Sequence, residues 1–196
     1  MRVAAYCGRD WAKAMRGSIG IAPVTSPPLE AQSPELYQFL KKAATGDVLA
    51  LNLHGYLGQE NYLGQWKRQV GPTALMPADV RAHRWDGMIV FLEVCFSAAD
   101  EKANQAIPQA FYSRGARLVV GSTTEAYGRT KPTWALPGFD GEADRLLTFF
   151  LFWLKRCGTS RALELAKRTL RLWSWPLDDY DEQTLKSFEI IGRLKK

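Results

Sequence analysis

The sequence predicts an α/β fold, a mostly parallel sheet covered on both faces by helices. Two observations carry that expectation. Nearly continuous apolar runs at residues 47–53, 88–94 and 117–121 read as buried strands. Segments with helical punctuation, at 34–46, 77–84 and 108–114, lie between or beside them, and strands alternating with helices build parallel sheets. The length of 196 residues fits one domain spanning 1–196, with a real hydrophobic core.

The elements follow in order. Residues 2–7 form a short β-branched and apolar run, the first strand. Residues 8–32 are broken by Gly17, Gly20, Pro23, Pro27 and Pro28 and read as a helix remnant followed by a loop. At Ser33-Pro34 a helix begins. Ser33 can cap free amides, and Pro34 suits the first helical position, where its missing N–H has no intrahelical partner. Leu36, Phe39, Leu40 and Ala43 follow at helical spacing until Gly46 stops the helix. The strand at 47–53 then ends at His54-Gly55. Gly58, Gly64, Gly71 and Pro72 make 56–76 a hairpin or loop, and 77–84 is a short helix. The strand at 88–94 ends at Cys95. A helix at 108–114 is closed by Gly115, and 117–121 is the third core strand. Residues 132–141, with Pro137-Gly138, read as a loop. Ala143, Leu146, Leu147, Phe150 and Leu151 have helical spacing. A second helix covers 160–172, and 186–191 is a last short strand.

Composition narrows the function classes. Hydrophobic content of 46% and charged content of 23% are ordinary for a globular chain. The net charge of +6 invites a nucleic-acid reading, but the basic residues are scattered. Their small clusters (Lys67-Arg68, Lys167-Arg168 to Arg171, and Lys195-Lys196) are not interleaved with aromatics, so solvated faces account for them. The longest apolar stretch, 146–154, is too short to cross a bilayer and is interrupted by Thr148. Residues 3–6 offer too little for a signal-peptide core. A soluble, cytoplasmic protein is expected, with neither nucleic acid nor membrane as partner. Cys7, Cys95 and Cys157 do not suggest a disulfide framework, and His54 and His83 lack zinc-ligand spacing.

The chemistry is expected at the carboxyl ends of the strands, where open α/β sheets collect ligands. Two consecutive core strands end there in useful residues, His54 and Cys95. A histidine exchanges protons near neutral pH, and a cysteine is a strong nucleophile once it is a thiolate. Taken alone, either residue is more often structural. Their joint placement, with Gly55 directly after the histidine, points to a catalytic dyad. A glycine lets substrate approach the backbone closely, and the Gly55 and Cys95 amides can form an oxyanion hole.

The succession of apolar strand, His54-Gly55, apolar strand and Cys95-Phe96-Ser97-Ala98 resembles the caspase-like cysteine peptidases. That clan includes caspases, metacaspases, separase, gingipains, legumain and the CHAT domains. Its histidine precedes a glycine and its cysteine ends the next core strand, in the same order as here. Residues 107–111 and 115–122, followed by a helix pair, are most similar to the CHAT subgroup, and the likeness extends over about 47–192. It implies a caspase–haemoglobinase three-layer sandwich and a cysteine endopeptidase that acts on protein or peptide substrates without a cofactor. CHAT domains are often fused to or encoded beside repeat proteins, which implies a regulatory protein partner.

Two departures stand out. Glu93 occupies a position where CHAT sequences usually have a small residue, and Thr123-Thr124-Glu125 stands where a tryptophan is common. Strand alternation puts Glu93 on the same side as Cys95. Metacaspases carry an Asp at that position in the pocket for a basic side chain. Glu93 therefore either favours cleavage after Arg or Lys or is a structural carboxylate paired with a nearby Arg. Asp100 and Asp140 are further candidates for the pocket. His83, between Arg81 and Arg84, reads as solvated; Cys7 and Cys157 as buried or incidental thiols; and Trp173-Ser174-Trp175-Pro176 as a packing or loop feature. Two rivals to the peptidase remain, a catalytically silent caspase-like module acting by protein contact and a nucleotide- or flavin-binding domain. The latter lacks a glycine-rich loop at Gly8-Arg9-Asp10.

Overall fold

The computed structural model describes residues 1–126, 142–173 and 179–192. The loop expected over 132–141, with Asp140, lies outside them, as do residues 174–176 and the terminal lysine pair. Six strands form the central sheet: β1 (Val3–Gly8), β2 (Val24–Ser26), β3 (Val48–Asn52), β6 (Ile89–Glu93), β7 (Leu118–Ser122) and β8 (Phe188–Ile190). Their order is β2-β1-β3-β6-β7-β8, parallel throughout except for β8, which pairs antiparallel with β7. β4 (Tyr62–Trp66) and β5 (Gln69–Leu75) form a separate antiparallel hairpin. Of the hairpin or loop expected over 56–76, the structure holds the hairpin.

Strand periodicity distributes the core over two layers. On β3, Leu49 and Leu51 face one cluster while Val48 and Ala50 face the other. On β6, Val90 and Leu92 oppose Ile89 and Phe91 in the same way. The first layer holds α2 (Pro34–Ala43), α3 (Pro77–Arg81) and α4 (Ala106–Ser113). The second holds α1 (Ala12–Ile19), α5 (Glu142–Cys157), α6 (Thr159–Trp173) and α7 (Asp179–Ser187). This is the three-layer α/β arrangement that the alternation of strands and helices predicts.

Local chemistry explains most boundaries. The Ser33 side chain accepts the Leu36 amide at 3.2 Å, capping α2 with Pro34 in its first turn. α4 starts at Ala106 rather than at Pro108, because a proline within the first turn removes no intrahelical bond. Other expectations are corrected. Residues 8–32 contain a short 3-10 turn (Arg9–Trp11), the two-turn α1 and an added edge strand, β2, which pairs with β1 from Tyr6↔Val24 onward. The last strand begins only at Phe188, because residues 186–187 finish α7.

His83 is not solvated. It is 6% exposed, with Tyr37 at 4.5 Å and Trp85 at 5.9 Å between ring centroids. Arg81 and Arg84 point outward on either side, while the histidine ring turns inward.

Phe91 anchors the second layer, with the Phe150 ring at 5.3 Å and the Phe188 ring at 5.4 Å. Replacing it empties a fully buried site shared by β6, α5 and β8. Phe91→Ala is expected to lower the unfolding free energy by about 3–5 kcal/mol in urea denaturation.

Candidate active site

The register of β3 against β6 runs from Val48↔Ile89 to Asn52↔Glu93. That 41-residue offset, carried two positions further, sets His54 opposite Cys95. Both follow the carboxyl ends of adjacent central strands. Asn52, His54, Glu93 and Cys95 share the parity of Ala50 and Phe91, so their side chains leave the same face of the sheet. Together with Trp11, Leu53 and Ala126, these four line a cleft of about 190 Å³.

Gly55 is buried, and a side chain there would collide with the Cys95 carbonyl oxygen and meet Val94 Cγ1 at 2.7 Å. Only a glycine lets the two loops come this close. No described residue accepts a backbone hydrogen bond from the Gly55 or Cys95 amide. After Cys95 the chain turns sharply. Phe96 has φ +57°, its amide donates to Thr124 O at 2.9 Å, and Ser97 N returns to Val94 O at 3.3 Å. A bulky residue in the left-handed region marks local backbone strain. Ser97 is fully buried, and its hydroxyl accepts the Ser122 amide at 3.0 Å, tying this turn to the end of β7.

Three residues of the site carry no sequence signal of their own. The hairpin clips onto His54 by two backbone bonds, His54 N to Leu63 O at 2.8 Å and Leu63 N to His54 O at 2.9 Å. Two residues on, past an irregularity in the β4–β5 pairing, the side-chain oxygen of Gln65 meets His54 Nε2. Gln65 Nε2 in turn donates to Asp10 at 3.4 Å. Trp11, from the 3-10 turn after β1, sets its ring edge-on to the imidazole, with centroids 4.7 Å apart. Asp10 and Trp11 can be found only by position, just past the carboxyl end of β1 at Gly8, and Gln65 has no such cue.

Burial disfavours the charged form of both groups. Burial pushes the Cys95 thiol above its ordinary value, and the Glu125 and Glu93 carboxylates add to that effect. A hydrogen bond from the Ala126 amide to the sulfur, at 3.3 Å, opposes it. The thiol also donates to the Ala126 carbonyl at 3.7 Å. Burial lowers the His54 imidazole, against the hydrogen bond to Gln65.

Glu93 is 4% exposed and lies on the cleft wall. Asp100 does not join it. It is exposed and borders a separate depression with Gln105, Thr123 and Glu189. Its place past the strained turn carries it away from His54 and Cys95. Cys7 is buried within β1, and Cys157 ends α5, its thiol donating to the Trp153 carbonyl at 3.1 Å.

No protein-family model matches this sequence, and no curated protein sequence does. Among solved structures, the chain is similar to a secreted C11 cysteine protease from Bacteroides thetaiotaomicron, in complex with an irreversible peptide inhibitor. The identity is 13% and the TM-score 0.43, over 70% of this chain and 37% of that one. It is also similar to a structure described only as a protease, at 12% identity and a TM-score of 0.48, over 97% of this chain and 46% of that one. The chain therefore spans less than half the length of either neighbour. No helix among the described residues is long and apolar enough to cross a membrane.

A neutral thiol has a measurable signature. In a Cys157→Ala background, with Cys7 fully buried, the rate of Cys95 alkylation by iodoacetamide should climb steeply only above about pH 8.5. A plateau already reached near pH 6, as an ion-paired thiolate gives, would contradict the neutral resting state.

Proposed function

We propose that this chain is a cysteine peptidase in which Cys95 is the nucleophile and His54 the proton carrier. The observation that carries the reading is the common cleft. Both groups leave adjacent parallel strands on the same face and line one pocket. Cys95 Sγ attacks the scissile carbonyl carbon while His54 takes the thiol proton. The proton then passes to the leaving amine as the C–N bond breaks, and water hydrolyses the acyl-enzyme. The oxyanion is received by the Gly55 and Cys95 amides, which are not used by other backbone groups among the described residues. No cofactor takes part in these steps. The resemblance to CHAT domains and a regulatory protein partner belong to the same proposal, as does action inside the cytoplasm.

Glu93 deepens the pocket on the side of Cys95, and we assign it the recognition of an Arg or Lys side chain preceding the cleaved bond. Its carboxylate lies within electrostatic range of the thiol. A charge-assisted hydrogen bond of this kind contributes about 1.5–3 kcal/mol.

One observation favours the silent-module alternative. The thiol is engaged on both sides by the Ala126 backbone, which a substrate would have to displace.

A peptide library decides between the readings. Cys95→Ala and His54→Ala should each abolish cleavage, and cleavage that persists in Cys95→Ala removes the dyad. Failure of the unmodified chain to cleave any library member, alone or with its partner, favours the silent module. Separately, Glu93→Gln should lower kcat/KM for Arg and Lys substrates about 10- to 100-fold and leave uncharged ones nearly unchanged. An unaltered cleavage profile removes Glu93 from specificity.

A further inference from the structure

The hairpin does more than border the cleft. Asp10 receives the Lys67 amide at 3.1 Å and the Arg68 amide at 2.6 Å. Lys67 and Arg68 are the two residues of the hairpin turn, with φ +52° and +60°. Two-residue hairpin turns of this kind favour Asn-Gly, and here neither position is glycine. The carboxylate that collects both amides compensates for that choice. Asp10 is thereby fixed as an acceptor at the foot of β4.

Hydrogen-bond direction then propagates. An ionised carboxylate only accepts, so the Gln65 atom facing Asp10 at 3.4 Å is the amide nitrogen. The other end of the same planar group, the oxygen, faces His54 Nε2. An amide oxygen also only accepts, so Nε2 must carry a proton. In the neutral imidazole, Nδ1 is then the lone-pair atom. Gln65 is buried and rests against Gly8, where an added Cβ would stand 3.0 Å from its own Cβ. The Trp11 ring at 4.7 Å restricts rotation of the imidazole.

We propose that Gln65 is a positioning residue that holds His54 in the Nε2–H tautomer through the relay Asp10–Gln65–His54, leaving Nδ1 to exchange protons with Cys95. The catalytic consequence rests on the peptidase reading; the tautomer itself does not.

The test uses the full chain, uniformly labelled with 15N. The sequence has two histidines, so His83→Phe assigns both ring systems in a long-range 1H–15N correlation. At a pH where the rings are neutral, His54 should show a protonated Nε2 and a bare Nδ1. Gln65→Leu should replace this with averaged tautomers and lose the protected Nε2 proton. Gln65→Glu, which keeps an acceptor there, should restore it. Asp10→Asn lets the Gln65 amide turn over, and should raise the Nδ1–H population while Gln65 is still present.

A protonated Nδ1 in the unmodified chain overturns the proposal. So does an unchanged tautomer in both Gln65→Leu and Asp10→Asn. In turnover of a cleaved peptide, Gln65→Leu should lower kcat by up to about 100-fold with KM little altered. The expected tautomers in a chain that cleaves nothing would leave the relay standing and remove the peptidase reading alone.

Discussion

The site depends on the pairing of β3 with β6. These strands supply the two residues that face each other across the cleft, and their register sets His54 against Cys95. Because side chains alternate, a slip of one residue would turn either group to the opposite layer. Burial of both strand faces guards against such a slip. Leu49 and Leu51 are committed to one core cluster, and Val48 and Ala50 to the other. The apolar runs thus do two things at once, stabilising the sheet and aligning the polar residues that follow them.

Just past the strand ends the chemistry changes character. The same enclosure that excludes water also disfavours charge on the imidazole and on the thiol. A preformed ion pair in such a cleft would bear a desolvation cost that its mutual attraction need not repay. In the proposed peptidase, a neutral pair places proton transfer within the reaction, when substrate carbonyl and backbone amides are present to receive the charge. The strained Phe96 turn fits that role, since it presents the thiol at the point where the strand ends and the chain reverses.

Much of this was legible in the amino-acid order. The core strands announce themselves as unbroken apolar runs, the α2 cap as Ser33-Pro34, and the shared side of Glu93 and Cys95 as simple alternation. Other features depend on contacts that no local pattern encodes. Trp11 meets His54 from the turn after β1, and Gln65 joins it, with Asp10 behind, because the hairpin folds back over that end of the sheet. His83 sits between two arginines in sequence, yet its own side chain falls under Tyr37. β2 is three residues long and gains its identity from pairing with β1. α7 is rich in polar residues, with Leu185 carrying its attachment to the core. Asp100 lies seven residues beyond Glu93, but the intervening turn sends it to a different depression.

The hairpin has a consequence of its own. A two-stranded ribbon is marginal in isolation, and this one is held to the main sheet by the bridge at His54 and Leu63, the Tyr6 hydroxyl on Ala74 O, the Asp10 carboxylate on the turn amides, and close packing of Gly64 on Ser26. Its inner side chains Tyr62, Ala74 and Leu75 are buried in the first core layer, whereas Lys67 and Arg68 at its turn are exposed. Changes at Gln65 or at the Lys67-Arg68 turn remove the histidine's support while those core contacts stay in place. Persistence of the architecture and persistence of the chemistry are, in this molecule, governed by different residues.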